Sequence, residues 1–289
     1  MGAGSVGCLV GGRLAAAGAR VHFIGRPRVV EVRRTEGLTL SDVEGPTLHV
    51  APDALDASQL PPDGAAPGLV LRAVKSAGTE AATATGARAA RGHAAAVVAK
   101  RCRQRGTRAS RCAAVARRAG HGAVNVAELA PGHLHRGTQG ALAAQDNVAL
   151  TPWLPLFARA GLPLALPADL APVQWGKLLL NLNNPVNALS RLPPRWLPTL
   201  LRLPGALFTR VAARMLRIDE KARSSMADDV ALGRRTEIDA LWGEVVRLAR
   251  AHGLAAPRKA RMVQLLDGLW PEAPPVMTAG ELRSALKRA

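Results

Sequence analysis

The chain has 289 residues, of which 48% are hydrophobic and 21% charged, so it can form one large or two medium domains and is too apolar for a disordered protein. No apolar run approaches the roughly 20 residues of a membrane helix, and the first residues lack the order of a signal peptide, which predicts a cytoplasmic protein without a membrane partner. The cysteines Cys8, Cys102 and Cys112 fit neither a zinc site nor a disulfide framework, so we expect no metal.

The net charge of +18 raises the alternative of a nucleic-acid-binding protein. No acidic residue lies between Glu80 and Glu128, and that stretch holds ten of the basic ones: Arg88, Arg91, Lys100, Arg101, Arg103, Arg105, Arg108, Arg111, Arg117 and Arg118. Aromatic residues make up 3% of the chain and none is tyrosine, so it lacks the aromatic side chains on which unpaired bases stack. We therefore expect no nucleic-acid partner and keep this class as a minor alternative.

The first element along the chain is a glycine-rich turn that precedes a helix. Gly2, Gly4 and Gly7 match the spacing G-x-G-x-x-G, with Ser5 and Val6 between the last two, and Cys8–Ala17 reads as a helix. The first glycine allows a tight bend, the second lets a pyrophosphate approach the backbone, and the third lets helix and sheet pack closely. The turn and the helix N-terminus predict a dinucleotide-binding site, although a lone glycine motif is often only a flexible loop.

A strand is expected next, because Gly18 can end the helix and residues 20–25 are apolar and β-branched or aromatic. NAD-binding folds place an acidic residue after this strand to hold the ribose 2′-hydroxyl. This chain has Arg26-Pro27-Arg28 there, and an arginine fits the 2′-phosphate of NADP. The sequence favours NADP over NAD, the alternative being that Arg26 and Arg28 are solvated loop residues.

Residues 69–75 form the next predicted buried strand, which ends at Lys75. Ligands gather at the carboxyl ends of parallel strands, so Lys75 can face the cofactor or the substrate. A lysine in water at the end of a strand fits the pattern equally well.

The pattern changes to long helical periods after Pro167, which predicts two domains, 1–166 and 167–289. Asparagines and a lysine lie in the apolar stretch 175–189, and Lys177, Asn181 and Asn184 fall within about 60° of one another on one helix face. Pro185 should free a carbonyl and bend the helix. We interpret this as a binding wall, the alternative being asparagines that bond neighbouring helices.

Two further helix starts carry polar candidates. Thr236 and Asp239 fit a capping box, whereas Glu237 is in phase with the apolar stripe of the helix that follows and should point inward. Ser225 lies at another helix start, where capping is the simpler explanation.

With these motifs in this order, the sequence resembles ketopantoate reductases (2-dehydropantoate 2-reductases) over nearly its whole length. The resemblance implies an α/β Rossmann-like N-terminal domain and an all-α C-terminal domain, and NADPH-dependent reduction of a 2-keto acid, 2-dehydropantoate, to (R)-pantoate on the route to coenzyme A. It implies that Lys177 is the proton donor, that Glu237 supports substrate and cofactor, and that Arg26 binds the 2′-phosphate. Asn181, Asn184 and Ser225 would hold the substrate, Asn184 with a spacing one residue short. Helical domains of such reductases can pair, so a homodimer is an open alternative to a monomer.

The sequence departs from the family at the start, where a β-strand should precede the glycine turn and only Met1 does. Burial of five apolar residues contributes roughly 1.5–3 kcal/mol for each residue. Together this free energy is comparable with the whole net stability of a domain, about 5–15 kcal/mol. We therefore expect a weakened N-terminal domain, unless the start codon is wrongly assigned.

The second departure is the basic stretch, where the family has a strand, Gln-Asn-Gly and a helix. The codons AAA CGG TGT CGG CAA CGC GGA ACG CG can encode residues 100–108, and one base along they read Asn-Gly-Val-Gly-Asn-Ala-Glu-Arg, which the family would have. We hypothesise a compensated frameshift over Lys100–Val124. A degenerate member that lacks activity is then the alternative to an active enzyme.

Overall fold

The computed structural model describes residues 1–43, 45–62, 67–74, 125–137, 141–181, 184–190, 225–231, 233–268 and 277–287, together with the backbone of 94–98 and 117–122. These residues belong to two compact units, Met1–Trp175 and Gly176–Ala289, which are described separately. The division falls inside a helix, Ala171–Asn181, that follows the predicted boundary at residue 166. The boundary at residue 166 stays a prediction.

The first unit contains both strands and helices, as expected of an α/β, Rossmann-like domain. Its strands are β1 (His22–Ile24), β2 (Leu38–Asp42), β3 (Leu48–Val50), β4 (Asp56–Ser58), β5 (Leu69–Arg72), β6 (Ala94–Val98), β7 (Arg117–Gly122), β8 (Val126–Ala130), β9 (His133–Arg136), β10 (Leu142–Ala144) and β11 (Leu164–Ala165). Its helices are α1 (Ser5–Ala16), α2 (Pro27–Thr35) and α3 (Leu154–Arg159). The predicted strand at 69–75 is thus shorter, ending at Arg72.

The predicted turn, helix and strand at the start of the chain are confirmed. α1 packs closely on its neighbours because two buried positions lack side chains: a Cβ on Gly11 would lie 2.5 Å from Cε1 of Phe23, and one on Gly12 would lie 2.9 Å from Cδ1 of Leu38. Gly18 ends the helix with a φ of 91°, and its N–H donates to the carbonyl of Ala15 at 2.9 Å. These contacts fix the glycine turn against the sheet.

Parallel strands lie on both sides of the glycine turn. β1 pairs in parallel with β4, and a second sheet has the order β11-β10-β7-β6-β5, in which β5, β6 and β7 are parallel and β10 runs antiparallel to β7. The chain start lies between β1 and β5: the Met1 amino group donates to the Leu71 carbonyl at 2.7 Å, and Gly2 N–H donates to the Ile24 carbonyl at 3.0 Å. Residues 1–3 therefore join the edges of β1 and β5 by backbone hydrogen bonds.

A four-stranded sheet of order β3-β2-β9-β8 covers the other face of α1. Its side chains alternate between the two faces: Leu38, Leu40 and Leu134 are fully buried in the main core, whereas Thr39 and Ser41 lie on the opposite face. β2 and β9 run in parallel, with Leu40 opposite Leu134. This register also brings Asp42 opposite Arg136.

Asp42 is the centre of a buried cluster of charges between α1, β2 and β9. Arg13 Nη2 donates to Asp42 Oδ2 at 2.7 Å, and Arg136 donates through Nε to Oδ1 at 2.7 Å and through Nη2 to Oδ2. Arg136 also donates to the Gly161 carbonyl at 3.0 Å. Burial, followed by the like charge of Arg136, lowers the pKa of the Arg13 guanidinium, while Asp42 opposes that shift. One carboxylate thus compensates two buried cations.

The second unit is helical over the residues that the structure describes, which confirms the predicted all-α class. Its helices are α4 (Ala171–Asn181, which begins in the first unit), α5 (Asn184–Ser190), α6 (Ser225–Ala231), α7 (Glu244–Ala251), α8 (Pro257–Asp267) and α9 (Ala279–Lys287). A π-helical turn, Asp239–Gly243, leads into α7. Ile238, Leu241, Met262 and Leu266 are buried, so this turn and α8 supply much of the described core.

Candidate functional site

The glycine turn has the backbone that a dinucleotide site needs. Gly2 has a φ of 79°, and a Cβ on it would lie 2.5 Å from Cγ1 of Val74 and 2.9 Å from the carbonyl carbon of Ala73. Any side chain at Gly2 is therefore both strained and blocked by the chain that leaves β5. A Cβ on Gly7 would strike the carbonyl oxygen of Gly2, so the turn closes on itself only with glycine at both ends.

Gly4 differs from these two because the space around it is open. No atom lies within 4 Å of the position that its Cβ would take, and Gly4 is exposed. It is the N-cap of α1 and offers no side chain to the first N–H groups, and the first turn has no acidic residue. The N–H groups of Ser5, Val6 and Gly7 have no acceptor within the helix, so together with the helix dipole they form an anion site beside the open position. These residues fit a dinucleotide pyrophosphate.

Arg26 and Arg28 lie where β1 gives way to α2. Arg26 is the N-cap of α2, and its carbonyl accepts from Val29 N–H at 2.9 Å and Val30 N–H at 3.1 Å. Both arginines are exposed, and the first turn of α2 holds no acidic residue. Arg28 therefore belongs to a helix, and the alternative that it is a loop residue is wrong. The two positive charges repel each other and the positive end of the helix dipole. An anionic group bound there would reduce this repulsion.

Lys75, which the sequence places beside this turn, lies outside the described residues. The structure describes the chain up to Val74, and Ala73 N–H donates to the Met1 carbonyl at 2.9 Å. The carboxyl end of β5 is therefore bonded to the residue that precedes the glycine turn. The role of Lys75 stays a prediction.

The asparagine-rich segment is helical on both sides of residues 182 and 183, which lie outside the described residues: α4 extends to Asn181 and α5 starts from Asn184. The bend expected at Pro185 stays a prediction. Asn184 Nδ2 donates to Asn181 Oδ1 at 3.3 Å, so the two amides lie together across the junction. Lys177, one turn before Asn181 on α4, is half-buried. The predicted proximity of Asn181 and Asn184 is confirmed.

Helix α6 packs on α5, and Ser225 is the first of its described residues, so the predicted helix start at this position stays a prediction. The structure describes the backbone of Ser225 and not its side chain, so its role as a substrate ligand stays a prediction. Asp229, one turn later on the same helix, is buried, and the sequence reasoning missed it. Its spacing of four residues from Ser225 was the available signal, because residues at that spacing share a helix face.

Glu237 precedes the π-helical turn and is half-buried, which agrees in part with the inward direction expected of it. Its carbonyl accepts from Leu241 N–H at 3.1 Å. The neighbouring capping box takes another form: Thr236 Oγ1 accepts from Ile238 N–H at 3.4 Å, and the Asp239 carboxylate accepts from Arg247 Nη1 at 2.9 Å. The Asp239 carboxylate thus pairs with Arg247 and does not complete the predicted capping box. Glu237 lies next to the π-helical turn.

Two segments of the chain match the profiles of a known protein family. The family profile described as "Ketopantoate reductase PanE/ApbA" matches residues 1–100, and its C-terminal counterpart matches residues 201–269. The two matches include the glycine turn, Arg26, Ser225 and Glu237. The chain belongs to the ketopantoate reductase family.

Several ketopantoate reductases are similar to this chain. The 2-dehydropantoate 2-reductase of Caulobacter vibrioides (strain ATCC 19089 / CIP 103742 / CB 15) is 30% identical over 159 residues, which are 48% of this chain and 55% of that protein. The match thus spans about half the length of that relative. A PanE/ApbA family ketopantoate reductase from Ralstonia eutropha JMP134 has the same fold, with 28% identity, a TM-score of 0.76 and coverage of 93% of this chain and 96% of that one. A dimeric ketopantoate reductase from Staphylococcus aureus shares the fold alone, at 15% identity and a TM-score of 0.64, covering 92% and 96%.

Membership makes this chain part of a family of NAD(P)-dependent oxidoreductases that reduce keto acids. Among the described residues, no helix is long and apolar enough to span a membrane, and no three His, Cys, Asp or Glu side chains are grouped as metal ligands.

Proposed function

We propose that the chain catalyses the NADPH-dependent reduction of a 2-keto acid, with 2-dehydropantoate as the substrate and (R)-pantoate as the product. The observation that carries the proposal is the hydrogen bond between Asn184 and Asn181, which gathers two amides one turn from the half-buried Lys177. A lysine and two paired amides suit an anionic, oxygen-rich ligand, because each amide offers both donors and acceptors. Family membership supplies the reaction class.

In this proposal the cofactor is held by the first unit. Gly2 and Gly7 close the turn, and the N–H groups that follow the open Gly4, at Ser5 and Val6, bind the pyrophosphate. Arg26 at the start of α2 binds the 2′-phosphate, which is the reason to prefer NADPH to NADH. Bound NADPH supplies the hydride for the carbonyl carbon.

The second unit supplies the proton and the substrate contacts. The Lys177 ammonium donates a proton to the carbonyl oxygen as negative charge develops there, and before the transfer its positive charge stabilises that oxygen. Asn181, Asn184 and Ser225 hold the substrate oxygens, and Glu237 orients the substrate and cofactor. Lysine is protonated at neutral pH, so it starts in the form that the reaction needs.

The test is NADPH oxidation at 340 nm with 2-dehydropantoate, comparing the wild-type chain with Lys177→Ala. We expect kcat to fall by about 10²–10⁴-fold, the usual contribution of a general acid, with the same thermal unfolding midpoint. Lys259→Ala is the matched control, because its ammonium lies 5.7 Å from the centre of the Trp242 ring and has no part in the proposed site. Equal rates for wild type and Lys177→Ala would contradict the assignment of Lys177.

Cofactor choice is tested separately through Arg26. Arg26→Ala should raise KM for NADPH by about tenfold or more and leave KM for NADH unchanged, because only NADPH carries the charge that Arg26 would meet. Arg34→Ala, another exposed arginine of α2, is the control. Parallel changes for the two cofactors would show that Arg26 does not read the 2′-phosphate.

Two further expectations belong to this proposal. A dimer is supported by the dimeric relative of the same fold and is measured by analytical ultracentrifugation. A degenerate member, the alternative, would give no NADPH oxidation in the wild-type chain while remaining folded by circular dichroism.

A further inference from the structure

A hydroxyl and two imidazole rings meet on the face of the four-stranded sheet β3-β2-β9-β8 that is turned away from the main core. Ser41 Oγ lies 3.0 Å from His133 Nε2 and 3.0 Å from His135 Nδ1. Ser41 and His133 are half-buried, and His135 is 6% exposed. None of the three belongs to the proposed cofactor or substrate contacts, so their convergence calls for a separate explanation.

The register of the sheet fixes this convergence. Residues two apart on a strand direct their side chains to the same face, so His133 and His135 lie on the face opposite to Leu134. Leu134 is fully buried in the main core, which anchors β9 between the two histidines. β9 pairs in parallel with β2, and this pairing brings Ser41 opposite His135. The rings are therefore positioned by paired strands and by the core beneath them.

The hydroxyl cannot serve both rings in the same way. Ser41 Oγ carries one hydrogen, so it can donate to one imidazole nitrogen and must accept an N–H from the other. One lone pair and one N–H thus point at the same oxygen. A neutral imidazole has two tautomers, and a change of tautomer in one ring would direct both lone pairs to this point. Two convergent imidazole lone pairs are donors that transition metals prefer.

Distance and charge also suit a cation. Because each nitrogen is 3.0 Å from the same oxygen, the two nitrogens are no more than about 6 Å apart. Rotation of the half-buried His133 ring can shorten this distance to about 3 Å, as required of two nitrogens that each lie about 2.0–2.1 Å from one Zn²⁺. The neighbouring strand positions on this face are uncharged: Thr39 and Ala130 flank His133, and Ser41 and Ala127 flank His135. These positions place no positive charge against an ion.

We propose that His133 Nε2 and His135 Nδ1 bind a divalent transition-metal ion of the class that imidazole prefers, which includes Zn²⁺, Cu²⁺ and Ni²⁺. The ion replaces the hydrogen bonds to Ser41, and water molecules complete its coordination. Two protein ligands agree with the finding that no three His, Cys, Asp or Glu side chains are grouped in the described part of the chain. The proposal departs from the expectation of no metal, which rests on the cysteines. With two ligands we expect reversible binding in the micromolar range, weaker than at a four-ligand structural zinc site.

The experiment is isothermal titration calorimetry of the 289-residue chain with Zn²⁺ in a buffer that does not bind metals. We expect saturable binding and, with excess Zn²⁺, a higher thermal unfolding midpoint, because the ion binds the folded chain. His133→Gln should weaken binding by about tenfold or more, since the amide can still bond Ser41 but does not replace an imidazole ligand. His252→Gln, at an exposed histidine of the second unit, is the matched control and should bind as the wild type does.

Nitrogen NMR of the chain with isotope-labelled histidine tests the assignment to these two atoms. Zn²⁺ should shift the signals of His133 Nε2 and His135 Nδ1 and leave those of His49 unchanged, although His49 Nδ1 lies 3.3 Å from Thr39 Oγ1 on the same face. Ser41→Ala removes the hydroxyl and keeps both ligands, so Zn²⁺ binding should stay within a few-fold of the wild type.

Three results would overturn the proposal. The first is absence of Zn²⁺ binding to the folded wild-type chain, and the second is equal binding by His133→Gln and the wild type. The third is loss of binding in a folded Ser41→Ala chain, which would show that the hydroxyl, and not the imidazole pair, makes the site.

Discussion

Replacement of Asp42 by asparagine tests the buried charge cluster that joins α1 to the four-stranded sheet. The Asp42 side chain is 4% exposed, and those of Arg13 and Arg136, which both bond its Oδ2, are 9% and 11% exposed. Asp42→Asn keeps the shape but leaves two guanidinium groups side by side without an anion. Removal of one partner from a buried ion pair costs about 3–5 kcal/mol, because the remaining charge stays desolvated. For a unit of this size we expect the unfolding midpoint to fall by about 6–20 °C.

The assay is thermal unfolding followed by circular dichroism, with Asp239→Asn as the matched control. Asp239 accepts from Arg247 at 2.9 Å, a similar distance, but the two side chains are 57% and 51% exposed. Exposed pairs contribute about 0–1 kcal/mol, so the control should unfold almost as the wild type does. Arg13→Met in the Asp42→Asn background should recover part of the lost free energy, because it removes one of the two cations. Equal losses for Asp42→Asn and Asp239→Asn would refute the reasoning from burial.

Three further predictions concern the start of the chain and the basic stretch. Gly4→Ala should raise KM for NADPH without changing the unfolding midpoint, whereas Gly2→Ala should lower that midpoint, because only Gly2 has a positive φ and close neighbours; the reverse order would contradict the proposed turn. Since the folded pKa of the Met1 amino group, about 6, lies below its ordinary value of 8.0, the unfolded chain binds more protons between these values. The free energy of unfolding should therefore rise by about 2 kcal/mol from pH 6 to pH 8, and Nα-acetylation should abolish this pH dependence. A flat profile before acetylation would count against a buried amino group. Resequencing the gene should reveal compensating insertions or deletions flanking Lys100–Val124, and an unshifted frame relative to close relatives would rule out the frameshift hypothesis.

Features that depend on near neighbours in sequence were predictable. The glycine turn, the end of α1 at Gly18 and the amide pair at Asn181 and Asn184 each depend on residues within a few positions of one another, where bond geometry and helix periodicity act directly. The cluster around Asp42 was not predictable in this way, because it needs the register of β2 on β9, which brings Arg136 beside Asp42 across 94 positions.

The proposed frameshift should affect turnover more than it affects NADPH binding. The proposed contacts to NADPH, from Gly2 to Arg26, lie within the family match to residues 1–100, and Lys177 and Glu237 also lie outside the segment proposed to be shifted. A frameshift over Lys100–Val124 would therefore spare the groups that bind the cofactor and donate the proton, and would remove the Gln-Asn-Gly segment that the resemblance places near both ligands. The chain should then bind NADPH, detected as a change in nicotinamide fluorescence, yet turn over slowly. Restoring the alternative frame in that segment should raise kcat while leaving the NADPH dissociation constant within a few-fold. If restoration instead creates NADPH binding that was absent before, the first 100 residues do not form the cofactor site by themselves.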